Sequence, residues 1–92
     1  MIYRRNPTFR KSFKDLPREI QDKAAKAFEL FKANRDHPSL DIKPVRGHEG
    51  VWEGRIDRFY RFTFEYKKDE TTGETVCRFR NIGRHEIVQR TP

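Results

Sequence analysis

Arg55 to Tyr66 reads RIDRFYRFTFEY, and the alternation inside it decides the fold. Tyr60, Phe62, Phe64 and Tyr66 fall on every second position, with Arg61, Thr63 and Glu65 between them. A period of two is the signature of a strand with one face buried. The preceding VWEGRID repeats the pattern. Trp52, Gly54 and Ile56 share one face, and Glu53, Arg55 and Asp57 share the other. A turn near Arg58 joins the two strands. Downstream, KDETTGE with Gly73 reads as a hairpin loop and ETVCRFRNI as a third strand. Cys77 and Phe79 are expected toward the core there, with Val76, Arg78 and Arg80 opposite. The closing GRHEIVQRTP reads as a turn and a short last strand.

Working back toward the N-terminus, the period changes from two to that of a helix. Ile20, Ala24, Ala27, Phe28 and Phe31 recur at helical spacing, while Lys23, Lys26, Glu29 and Lys32 take most of the other side. Pro17 suits the first turn of this helix, where a missing N–H costs nothing. Asn34 and the RDHP that follows end it. Phe9, Phe13 and Leu16 predict a shorter helix before it, after a strand MIYRRN and the break at Pro7. The join at Leu16-Pro17 predicts a helical hairpin. From Ser39 to Gly50 the chain reads as loop with a short extended piece around IKPV. The expectation is an α+β fold, β-α-α-β-β-β, with the hairpin packed on one face of a small antiparallel sheet and residues 1–92 forming one domain.

Composition sets the limits. A chain of 92 residues buries roughly two thirds of its extended surface, so its core is thin. Eight Phe, three Tyr and one Trp compensate, since each buried ring removes a large apolar area from water. The charged fraction of 38% would fit disorder, but the aromatics and the regular periods argue for a folded chain. The net charge of +7 favours a polyanionic partner: nucleic acid, an anionic membrane or an acidic protein. The single cysteine, Cys77, excludes an internal disulfide, and no metal-ligand spacing occurs. No signal peptide and no transmembrane stretch is read, which predicts a cytoplasmic protein.

If Phe62 and Phe64 face the core, Arg61 faces the uncovered side of the sheet, together with Glu53 and Arg55. Arg78 and Arg80 join them from the third strand, and His85 lies just past its end. Arginine forks bind phosphate oxygens and stabilise charge developing at phosphorus. A carboxylate can serve as general base and an imidazole as general acid near neutral pH. RNA suits this set better than DNA, because its own 2′-OH can be the nucleophile. The competing reading is a plain solvated face of cross-strand Glu–Arg pairs.

The helical hairpin F-x-K-S-F-K-D-L-P-x-x-I-Q, the loop L-x-I-K-P-V-R-G, the strand W-E-G-R-I, then Y-R-F-T-F and I-G-R-H-E-I-V follow one another in an order and spacing that resemble the RelE/ParE superfamily of type II toxin–antitoxin systems. The resemblance spans nearly the whole chain. It implies the fold derived above and, in the RelE-like branch, metal-independent cleavage of mRNA on the ribosome by attack of the 2′-OH on the adjacent phosphate. It also implies a cognate antitoxin as partner, beside the ribosome and mRNA, and no small-molecule cofactor. By the same resemblance Arg61 and Arg55 are expected as the electrostatic clamp, His85 as general acid, and Glu53 or a nearby group as base. Lys43, Arg78, Arg80 and Arg84 are expected as RNA or phosphate contacts. Two departures stand out: Glu53 occupies a position that is lysine in the best-known RelE pattern, and the tail IVQRTP lacks a C-terminal tyrosine. The ParE-like branch, which inhibits DNA gyrase, and a basic RNA-binding module without catalysis are the alternatives.

Overall fold

The structure is a computed structural model that describes residues 1–92. Strand β1 (Ile2–Arg5) leads into helices α1 (Pro7–Lys14) and α2 (Arg18–Ala33). A 3-10 turn at Pro38–Leu40 precedes the two-residue strand β2 (Lys43–Pro44). Strands β3 (Val51–Arg55), β4 (Tyr60–Lys68) and β5 (Thr75–Arg84) follow, and then a short helix α3 (Ile87–Arg90). Local chemistry explains the helix starts. Asn6 caps α1 by accepting the Phe9 N–H at 2.8 Å, with Pro7 in the first turn. Pro17 stands at the N-cap of α2, one step earlier than expected, and its carbonyl accepts the N–H groups of Ile20 and Gln21.

The five strands form one sheet in the order β1-β5-β4-β3-β2. The β2–β3, β3–β4 and β4–β5 pairs are antiparallel, as expected of a meander, but β1 lies parallel to β5. The expectation of a purely antiparallel sheet is corrected here. Two helices lie between β1 and the meander, and that long connection lets the first strand return alongside the last in the same direction.

Ala24 and Phe31 of α2 and Phe9 of α1 meet Phe62, Phe64, Cys77, Phe79 and Ile82 from the sheet, with Leu40 closing one end. The rings interlock, with Phe31 4.9 Å from Phe64 and Phe28 5.2 Å from Phe62, both edge-on. Burial in this core pushes the Cys77 thiol up to about 12, which leaves it an inert core group. Gly54 is required where it sits. An added Cβ would lie 2.3 Å from the Phe62 ring.

Candidate active site

The residues of the second face are set by register. Lys43, Glu53, Thr63 and Asn81 pair in turn across β2, β3, β4 and β5, so one row crosses the sheet. The next row toward the β3–β4 turn is Arg55, Arg61 and Gly83. Glu53 and Arg61 are therefore diagonal neighbours on one face. A bulge in β5 decides which residues belong here. Thr63 pairs with Asn81 while Phe64 pairs with Phe79, so Arg80 is the extra residue. The bulge resets the alternation and returns Ile82 to the core, where it is 2% exposed.

This face is open only over part of its length. The end of the chain lies across it as α3, not as the expected last strand. Asn81 donates from Nδ2 to the Thr91 carbonyl at 2.7 Å, and Arg80 donates from Nε to the Pro92 carbonyl at 3.2 Å. An added Cβ on Gly83 would lie 2.9 Å from Ile87, so the glycine lets α3 approach. Thr63, Asn81, Glu65 and Glu53 are buried beneath this cover. What remains open is a cleft of about 540 Å³ between the β2 segment and α3. It is lined by Lys43, Pro44, Val45, Arg46, Glu53, Val88 and Gln89.

Glu53 sits within that cleft with no hydrogen bond or ion pair from any protein side chain, 9% exposed. Burial raises its carboxyl above the usual range, and the charges of Lys43 and Arg61 offset part of the rise. Lys43 is held 3.6 Å from Asp41 at the cleft edge. Arg61 donates from Nη1 to the carbonyls of Asp57 at 2.7 Å and Tyr60 at 3.0 Å, so its charge is anchored by backbone and left unneutralised. Asp57 builds the turn that supplies those carbonyls. Its carboxylate accepts the N–H groups of Phe59 and Tyr60 and the Lys23 ammonium. Burial raises the Asp57 carboxyl, but these donors outweigh it and hold it below the usual range. Arg55 stands directly opposite Arg61 and meets no carboxylate. It also borders a shallow depression lined by α2 and the 3-10 turn, beside Lys23, Lys26 and Ser39.

The other expected residues separate. His85 lies at the end of β5, its N–H donating to the Phe59 carbonyl at 2.9 Å and its Nε2 3.8 Å from Glu86. Arg78 shares the second face opposite Glu65. Arg80 is engaged with Glu65. Arg84 pairs with Tyr60 and projects to the helix side, its guanidinium 5.4 Å from the Phe59 ring. No three His, Cys, Asp or Glu side chains converge as a metal site, and no helix is long and apolar enough to cross a membrane.

The architecture has close counterparts among solved structures. YafQ from E. coli strain BL21(DE3) superposes with a TM-score of 0.72 at 12% identity, covering 94% of each chain. The YoeB/ParE toxin from Agrobacterium tumefaciens gives 0.70 at 15% identity, over 92% of this chain and 99% of that one. A chain of the RelB-RelE antitoxin-toxin complex from Methanococcus jannaschii gives 0.64 at 19% identity, over the full length of both. The chain has the RelE-like fold. No family model and no curated protein matches its sequence.

Within this RelE-like framework three residues escaped the sequence reading. Arg46 lines the cleft but sat in a loop without a period. In the sequence pattern Asp57 stands only as an outward strand residue. The D-x-F-Y spacing of an Asx turn, a short polar side chain accepting backbone N–H groups two and three residues on, could have identified it. Arg35 lies over Trp52 at 4.9 Å and within 6 Å of Phe64 and Tyr66, closing the core beyond α2. Nothing local in RDHP signals that contact, because its partners are strand residues far along the chain.

Proposed function

We propose that this protein is the toxin of a type II toxin–antitoxin pair and acts as a metal-independent, ribosome-dependent mRNA endoribonuclease. The observation that carries the reading is the Arg55–Arg61 pair. Two arginines stand directly opposite each other in register with no carboxylate between them. Like charges so placed cost roughly 0.2–1 kcal/mol, a cost that a bound phosphate would turn into attraction. Diagonal to Arg61 lies Glu53, a carboxylate without protein partners whose proton affinity is raised by burial. Such a group is suited to taking a proton nearer neutrality.

In the reaction, Glu53 accepts the proton of the substrate 2′-OH as that oxygen bonds to the adjacent phosphorus. The bond from phosphorus to O5′ breaks, and His85 protonates the departing oxygen. The products are a cyclic phosphate and a 5′-hydroxyl. Arg61 and Arg55 hold the phosphorane charge. Lys43 and Arg78, on the same face, serve the flanking backbone. Arg80, already engaged by Glu65, has the weaker claim. The cognate antitoxin, expected to be acidic against the +7 chain, is the silencing partner.

Primer extension on a defined mRNA in a purified translation system tests this. Wild-type protein should cut within the codon in the aminoacyl site only when ribosomes are present, and Arg61→Ala should lose at least a hundredfold of that activity while remaining folded. Intact mRNA beside a wild-type protein that still arrests growth would defeat the reading in favour of a non-nuclease toxin of the gyrase-directed kind.

A further inference from the structure

Phe59 has no role in the chemistry above, yet it is one of two large apolar side chains the fold leaves exposed, at 47%. Its place is fixed from three sides. Its N–H donates to the Asp57 carboxylate at 2.9 Å, its carbonyl accepts the His85 N–H at 2.9 Å, and Arg61 binds the carbonyl two residues earlier. The ring is thus presented on a rigid turn at the same end of the sheet as Arg55, Arg61 and His85. Guanidinium groups flank it, Arg58 at 5.7 Å and Arg84 at 5.4 Å.

We infer that Phe59 is a stacking platform for a nucleobase of the bound single-stranded RNA, with Arg58 and Arg84 holding the phosphates on either side of that nucleotide. An exposed aromatic between cations is the combination that binds single strands. The ring takes the face of any base, and the arginines take the backbone. Apolar burial gives no competing reason for the residue, because the ring packs on no part of the core cluster. The two arginines explain why an aromatic is tolerated there in the free protein: they cover part of the ring by cation–π contact and can swing to phosphate when a base arrives. The inference rests on the RNA reading of the candidate site and adds, at the same end of the sheet, a nucleotide-binding subsite outside the groups that move protons.

The test is binding, separated from cleavage. A fluorescein-labelled single-stranded hexanucleotide, 2′-deoxy at every sugar so that it cannot be cut, is titrated with wild-type protein, Phe59→Ala and Phe59→Trp at low ionic strength. A matching hexamer with abasic sugars is titrated in parallel. Phe59→Ala should weaken binding of the base-bearing strand about tenfold, and Phe59→Trp should match or exceed wild type. All three should bind the abasic strand alike. Equal weakening on both strands would mean that Phe59 only positions Arg58 and Arg84, which overturns the inference. So would unchanged binding by Phe59→Ala, or binding too weak to detect by any of the three. Thermal melts identify an alanine variant that has lost its fold, in which case Phe59→Leu, which keeps apolar bulk without an aromatic face, takes its place. Cleavage of mRNA by a protein whose Phe59 variants bind normally would leave the nuclease reading standing without the platform. Base-dependent binding by a protein that cuts nothing would do the reverse.

Discussion

Glu53 shows how a single residue carries a cost that its site uses. Burial raises its carboxyl above the value it has in the unfolded chain. A carboxylate shifted in that direction destabilises the fold when ionised, and the penalty disappears as pH falls below the unfolded value. Glu53→Gln should therefore melt at or slightly above the wild-type temperature at pH 7, with the difference closing near pH 3, as followed by circular dichroism. The same variant should lose most of its RNA cleavage at every pH. A clear loss of stability at pH 7 would show instead that Glu53 holds the cleft together. Position 53 was legible from alternation alone, because a strict period of two leaves no freedom over which face a β3 residue takes. Its isolation from protein partners was not, since that depends on how α3 and β2 pack around it, which no local period reports.

The element that sequence periodicity described least well is β5. ETVCRFRNI alternates cleanly only as far as Phe79; the extra residue Arg80 then shifts the phase, and the chain runs on to Arg84 before turning into α3. Bulges and four-residue helices rest on tertiary fit more than on local pattern, which is why the tail IVQR reads equally well as a strand. The helices and the central hairpin were legible, because Ala24, Phe31, Phe62 and Phe64 keep their periods wherever they are buried. The bulged residue is secured by Glu65 of β4, which accepts from Arg80 and lies 3.3 Å from Lys67. Burial raises the Glu65 carboxyl, but these two cations more than offset it and hold the group below the usual range. A carboxylate lowered in the fold contributes stability above its unfolded value and loses it as pH falls through the lowered one. Glu65→Gln should cost about 1–3 kcal/mol at pH 7, measured by urea unfolding, and progressively less as acid titrates the wild-type carboxylate.

At the scale of the molecule, the +7 charge divides into cations already committed and cations still free. Arg78 has no acidic partner within bonding distance, whereas Arg80 has one. Affinity for a single strand should fall log-linearly with salt, and Arg78→Ala should reduce that slope by about 0.7. Arg80→Ala should leave the slope nearly unchanged and lower the melting temperature instead; the reverse pattern would reassign the two. The parallel pairing of β1 with β5 has a consequence of another kind. Ile2 lies against Val76, so β1 waits for its neighbour through more than seventy further residues of synthesis. At cellular translation speeds of about 5–20 residues per second, that interval is roughly four to fifteen seconds. During it Ile2–Arg5 has no sheet to join, and Arg61 faces neither Gly83 nor a finished cleft. Any function that needs the finished sheet, the Arg61–Gly83 pairing included, therefore waits until β1 and β5 have met.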